Sequence, residues 1–135
     1  MMRIHKRLRS ESGASAVEFA LLLPVLMMIL FGIIEFGMAL YRQAILTNAS
    51  REGARLGIVP SVTNAEVNTK IDAYLTAAGI APGTVTRTPP PVLTGGTGSD
   101  VKVTLTLPYT YVVLPGLTSI TPSINLVATT VMRHE

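Results

Sequence analysis

An apolar run near the N-terminus constrains this chain more than any other feature. Residues 17–41 read VEFALLLPVLMMILFGIIEFGMALY, in which Glu18 and Glu35 are the only charged side chains. A helix needs about 20 mostly apolar residues to cross roughly 30 Å of hydrocarbon. The run meets that length, and a buried helix in a chain of 135 residues rarely extends so far without a polar face. The sequence therefore predicts one membrane-spanning helix.

The positive charge of the chain lies before this run. Four basic residues, offset only by Glu11, make residues 1–13 carry +3, whereas the rest has seven basic and seven acidic residues and is neutral. A basic N-terminal flank predicts a cytoplasmic N-terminus and an exported C-terminal domain. Because the remaining chain has no basic excess, we expect no nucleic-acid partner. Cysteine is absent, which excludes disulfides and thiolate metal sites.

A secretory signal peptide or an uncut signal anchor would also place an apolar run near the N-terminus. Signal-peptide cores are usually 7–15 residues long and end at an A-x-A-like site. Here the run is longer, and Gly37-Met38-Ala39 is a poor match to such a site. These observations disfavour the secretory signal peptide and leave the signal anchor open.

The segment Gly13-Ala14-Ser15-Ala16-Val17-Glu18-Phe19 distinguishes the chain from both alternatives. A glycine stands at the edge of the apolar run, and a glutamate follows five residues later inside it. A carboxylate at that depth costs about 2.5–3.5 kcal/mol on insertion scales, so it needs a partner or a function. A cut after Gly13 would give Ala14 a free amino group, which could pair with Glu18 of a neighbouring subunit.

The pattern Gly-x-x-x-x-Glu-Phe resembles the processing site of the Flp-type prepilins of tight-adherence (Tad) pili. Similarity to the TadE-like family of pseudopilins extends over a longer string, AVEFALLLPVLMMILFGIIEFGMALYRQAILTNASREGARLG. Residues 128–133 are also similar to the C-terminal ends of those domains. The resemblance implies a minor pseudopilin of the bacterial inner membrane that is cut by a membrane aspartic prepilin peptidase. Gly13 and Ala14 would flank the cut, and Glu18 and Phe19 would be recognised after it. The other implied partners are pilin subunits and the Tad assembly platform, and the implied use is adhesion or secretion.

Apolar residues recur at helical spacing beyond Tyr41, and Gly57 with Pro60 is a credible stop. A helix over residues 14–56 would be about 64 Å long and would project from the membrane as a stem. We expect Pro24 to kink or loosen it. Gly32 and Gly37 are candidates for close contact with another subunit's helix, although glycine is common in membrane helices. Glu35 could reach the membrane interface, but the resemblance favours a contact between subunits.

The remaining residues predict a small exported domain. Thr63 and Glu66 fit a capping box at the start of a helix over residues 64–78, with Asp72 as a solvated residue. Strands are expected at 101–107, where apolar and polar residues alternate, at 124–132 and, shorter, at 84–87. Residues 109–114 form part of another strand or pack across the sheet, and 88–100 form a loop. The sequence thus predicts an α+β, pilin-like fold, with a leader at 1–13, a membrane and stem helix at 14–57, and an exported domain at 58–135.

We expect no catalysis, no metal and no cofactor. His5 and His134 lie near the ends of the chain, and no carboxylate pair or nucleophile–base spacing is visible. The glycine cluster at 95–98 has no P-loop lysine and precedes a strand, so it indicates a turn. Two other functions remain open: an uncut, membrane-anchored binding module that presents its sheet domain, and a secreted soluble domain.

Overall fold

The computed structural model describes residues 8–87, 100–111 and 123–133, with side chains from residue 13 onward. The elements in chain order are helix α1 (Leu8–Gly57), helix α2 (Asn64–Ala77), a 3₁₀ turn (Pro82–Thr84), and strands β1 (Thr86–Arg87), β2 (Asp100–Thr110) and β3 (Ser123–Arg133). The predicted α+β class is confirmed. The loop expected at 88–100 lies outside the described residues except for Asp100, which begins β2 instead of ending the loop. The segment 112–114 and the two histidines also lie outside the described residues.

Helix α1 starts earlier than expected and is not interrupted. It begins at Leu8 instead of Ala14, passes through Gly13 and continues across Pro24. A single glycine costs a helix only about 1 kcal/mol relative to alanine, which is too little to end it. In the part of the chain that the structure describes, one helical stretch, Gly13–Gly57, is long and apolar enough to cross a membrane.

The two halves of α1 have different surroundings. Up to Ile34 its described side chains are exposed, apart from the half-buried Phe31. Glu35 is the first buried residue, and beyond it one face of the helix enters the core with Ala39, Ile45, Leu46, Ala49 and Ala54. Residues 13–34 therefore make no part of the domain, and we call them the free half of α1. Residues 35–57 are one of the domain's own elements, and we call them the stem half.

Local hydrogen bonds cap both ends of helix α2. The predicted capping box is confirmed, because the Thr63 hydroxyl accepts from the Glu66 N–H and the Glu66 carboxylate accepts from the Thr63 N–H. Gly79 follows the helix with a φ of +77°, a backbone conformation that glycine adopts without strain. Val67, Ile71 and Leu75 are fully buried, as expected for a helix with one apolar face.

The sheet is antiparallel with the order β1-β2-β3. The predicted alternation in β2 is confirmed, since Val101, Val103, Leu105 and Leu107 are buried. The break expected at Pro108, between the strand at 101–107 and the segment 109–114, is wrong, because β2 continues through Pro108 and Tyr109 to Thr110. Proline is tolerated in a strand where one flank is unpaired, and β1 pairs only with Leu105 and Thr106.

The stem half of α1 covers the apolar face of the sheet and contacts both β2 and β3. Helix α2 packs on α1 and reaches the sheet where Ile71 and Val103 meet beside Gly53. Asp72 is not simply solvated, because it forms an ion pair with Arg87 of β1. This pair ties α2 to the edge of the sheet.

Candidate functional site

The most unusual polar group in the structure lies where α1 first meets the sheet. Glu35, only 2% exposed, stands on α1 and accepts a hydrogen bond from the hydroxyl of Tyr109 on β2, with 2.8 Å between Oε1 and the phenolic oxygen. Tyr109 is fully buried. A buried carboxylate is tolerated only when donors satisfy it. This contact therefore fixes the end of β2 against α1 at the first residue beyond its free half.

Two further side chains complete this cluster. Arg42 lies seven residues after Glu35, on nearly the same face of α1, and places its guanidinium carbon 5.1 Å from the centre of the Tyr109 ring. Tyr111 meets the same ring edge-on, with centroids 5.6 Å apart and planes at 79°. We call Glu35, Arg42, Tyr109 and Tyr111 the junction cluster.

The electrostatics of the junction cluster favour the neutral phenol of Tyr109. Burial raises the pKa of Tyr109 to about 12, and the hydrogen bond to Glu35 and the negative charge of that residue act in the same direction. Arg42 opposes the shift, because its positive charge favours the phenolate. Tyr109 thus remains a hydrogen-bond donor at any physiological pH.

Further along α1, polar contacts hold β3 against the helix. The side-chain amide of Gln43 donates to the Val127 carbonyl at 2.8 Å. The hydroxyls of Ser50 and Thr130 are 2.7 Å apart, and Ser50 donates to the Thr47 carbonyl at 2.8 Å. Because Ser50 has one hydroxyl hydrogen, Thr130 is the donor to Ser50. The stem therefore follows β3 from the junction cluster outward.

The predicted processing residues lie outside the junction cluster, near the N-terminal end of α1. Gly13, Ala14, Glu18 and Phe19 are all exposed on the free half of α1. A Cβ added at Gly13 would meet no atom within 4 Å. The structure thus leaves this segment accessible, and the predicted cut remains a prediction.

The candidates for subunit contact divide into two kinds. Gly32 and Gly37 are exposed, with no atom within 4 Å of an added Cβ, so the surface beside them is open. Glu35 is buried and accepts a hydrogen bond from Tyr109 of its own domain, and its predicted contact with another subunit remains a prediction. Sequence reasoning missed Tyr109, although the alternation through Val101–Leu107 continues to it.

Within 8–87, 100–111 and 123–133, no group of three or more His, Asp or Glu side chains could hold a metal ion. One open cavity there lies between α1 and α2 beside Glu52, Lys70 and Tyr74.

Comparison with known proteins gives one match. The family model described as TadE-like protein matches residues 13–55, which supports a TadE-like pilin-family assignment and confirms the resemblance over most of α1. The similarity noted at 128–133 lies outside the match. No curated protein and no solved structure matches the chain. The TadE-like segment fits a Tad pilus-associated protein.

Proposed function

We propose that this TadE-like chain is a minor pseudopilin of a Tad/Flp-type pilus, held in the bacterial inner membrane by α1 and cut by a prepilin peptidase after Gly13. One observation carries the proposal. The matched segment, residues 13–55, lies within helix α1, whose side chains from Gly13 to Ile34 are largely apolar and exposed. A helix with that surface is stable only in lipid or against other apolar helices, and a pilin subunit moves between these two environments.

The two carboxylates of the apolar run support this function in different ways. Glu18 is exposed within the part of α1 that would lie in lipid, where a charge requires a partner. Cutting after Gly13 creates an α-amino group at Ala14, and that amine in one subunit can pair with Glu18 in the next. Processing would thus supply the charge that assembly needs.

The basic residues before Gly13 orient the proposed subunit. Residues 1–13 carry a net +3, which keeps the N-terminus cytoplasmic and exports the sheet domain. The cut removes this charge, so that the mature chain is neutral and can leave the bilayer. The chain would act as a substrate of the peptidase and as a structural subunit, with no catalysis of its own.

Coexpression with a prepilin peptidase tests the cut. Mass spectrometry should show loss of about 1.4 kDa, at roughly 110 Da per residue, and a new N-terminus at Ala14. Gly13→Leu should prevent the cut, whereas the matched control Gly32→Leu should be cut normally. Neither side chain meets an atom within 4 Å at its Cβ, so folding does not distinguish the two variants.

Three results would contradict the proposal. An intact Met1 in a membrane-bound chain would favour the uncut, membrane-anchored binding module. A start near Leu40 would indicate ordinary signal-peptide cleavage. Equal cutting of Gly13→Leu and Gly32→Leu would show that Gly13 is not the recognised residue.

A further inference from the structure

The free half of α1 is slightly longer than the thickness of a bilayer's hydrocarbon core. Residues 13–34 extend about 33 Å at roughly 1.5 Å per residue, and the core is about 30 Å thick. The proposed cut at Gly13 leaves no room to move the spanning segment toward the N-terminus. If this segment spans the membrane, as the proposed function requires, Glu35 lies at the exported edge of the hydrocarbon.

The sheet domain begins at this same level. The 2.8 Å hydrogen bond between Tyr109 and Glu35 places the end of β2 beside residue 35 of α1, and Ile124 of β3 pairs with Tyr109. From there β3 runs outward along the stem, with Val127 bonded to Gln43 and Thr130 to Ser50. No length of bare stem separates the domain from the apolar segment.

The side chains around this level suit a lipid–water interface. Phe36, Leu40 and Tyr41 of α1 are 65%, 54% and 64% exposed, and Ile124 at the start of β3 is 39% exposed. Aromatic residues with amphipathic rings are enriched at the headgroup level. Arg42 is the first basic residue after the apolar run and is exposed beside them. Its guanidinium could bind lipid phosphates.

We propose that this end of the exported domain, formed by Phe36, Leu40, Tyr41, Arg42 and Ile124, lies in the headgroup layer of the bilayer. The layer is about 5–8 Å deep on each side and accommodates the first turn of α1 beyond Glu35, up to Leu40, and the first residues of β3. The backbone of Tyr41 and Arg42 lies about 9–10.5 Å beyond Glu35, at the outer edge of the layer, and their side chains reach back toward it because helical side chains tilt toward the helix N-terminus. The protein therefore contacts the membrane in two ways: the free half of α1 spans it, and the adjoining end of the exported domain lies on its surface. The inference depends on the proposed membrane function and adds a defined depth and orientation to it.

The chain has no tryptophan, so a single introduced tryptophan reports on one position. The full chain is reconstituted in phosphatidylcholine–phosphatidylglycerol vesicles whose acyl chains are brominated either close to the headgroup or close to the bilayer centre. Leu26→Trp reports on the span and Ile124→Trp on the proposed contact. Val131→Trp is the matched control, because it is also apolar and exposed on β3 but lies about 23 Å further along the strand.

We expect the deep bromines to quench Leu26→Trp, the shallow bromines to quench Ile124→Trp, and neither to quench Val131→Trp. Quenching of Leu26→Trp without quenching of Ile124→Trp would overturn the inference and leave the membrane function standing. An unquenched Leu26→Trp would overturn both. Ser123→Trp, exposed on the other face of the same strand end, must behave as Ile124→Trp does even if the latter disturbs packing.

Discussion

Helix α1 closely approaches Ile71 of α2 at Gly53, and replacing Gly53 with alanine should loosen that contact. A Cβ built there would lie 2.6 Å from Cδ1 and 2.8 Å from Cγ1 of Ile71, and 3.6 Å from Cγ1 of Val103. Ordinary carbon contacts are about 3.5–4.0 Å, so both Ile71 atoms would overlap the new methyl group. Ile71 is fully buried, and its neighbours must move with it.

The expected magnitude follows from two opposing effects. Inserting a methyl group into a packed core costs about 1–3 kcal/mol. Alanine in place of glycine inside a helix returns about 1 kcal/mol. We therefore expect Gly53→Ala to lower the free energy of unfolding of the domain by about 1 kcal/mol, and by no more than about 2 kcal/mol. Gly37→Ala is the matched control, because its Cβ would meet no atom within 4 Å.

Urea titration of the full chain in detergent micelles, followed by the near-ultraviolet circular dichroism of its tyrosines, measures this free energy. The variant Ile71→Val removes the atom of closest overlap and should itself cost about 0.5–1.5 kcal/mol. In that background Gly53→Ala should cost less than it does alone, which makes the pair non-additive. If Gly53→Ala were as stable as Gly37→Ala, or if the two substitutions were additive, the close approach would not limit stability.

Tyr109→Phe should destabilise the domain by about 1.5–3 kcal/mol, because it removes a buried hydrogen bond to the carboxylate of Glu35; urea titration measures this. The folded-state pKa of Tyr109, about 12, is above its ordinary value of 10.0, so its contribution to stability is complete below pH 10 and is lost as the pH rises to 12. Absorbance titration of the native protein should show a late tyrosine ionisation that is absent from Tyr109→Phe. At α2, Thr63→Ala should cost about 1 kcal/mol by removing the N-cap, whereas Thr63→Ser should retain most of the stability. The hydrogen bond from the Thr63 backbone N–H lowers the pKa of Glu66, so the carboxylate's stabilisation is present above its ordinary pKa and is lost as the pH falls through the lowered value; an acid titration of helicity that shows no such loss would contradict this.

Local sequence patterns predicted the elements of this fold well. The apolar run predicted the free half of α1, the Thr63–Glu66 spacing predicted the start of α2, and alternation predicted the buried residues of β2. In each case the deciding interactions join neighbours in the chain or on one face of one element. The break expected at Pro108 failed because proline prevents pairing only where its missing N–H would be needed.

Sequence spacing could not predict which side chains the charged residues contact. Glu35 and Tyr109 are separated by 74 positions, and Asp72 and Arg87 by 15 positions that include a turn. A carboxylate in an apolar run shows that a partner is needed, but it does not show whether that partner belongs to the same chain. For Glu35 the fold supplies a partner within the chain, because β2 ends beside it and the Tyr109 hydroxyl donates to its carboxylate.

Because the two carboxylates differ in where their partners lie, substituting Glu35 and substituting Glu18 should have different effects. Glu35 has its hydrogen bond to Tyr109 within the chain, whereas Glu18 is exposed in the free half of α1 and, in our proposal, depends on the Ala14 amine of another subunit. Glu35→Gln should therefore speed hydrogen exchange at the Tyr109 end of β2 and leave cutting after Gly13 unchanged. Glu18→Gln should leave that exchange unchanged and reduce processing or pilus assembly. If Glu18→Gln yields normal pili, charge pairing does not drive assembly. If Glu35→Gln leaves exchange at the end of β2 unchanged, the hydrogen bond to Tyr109 does not hold the domain against the helix.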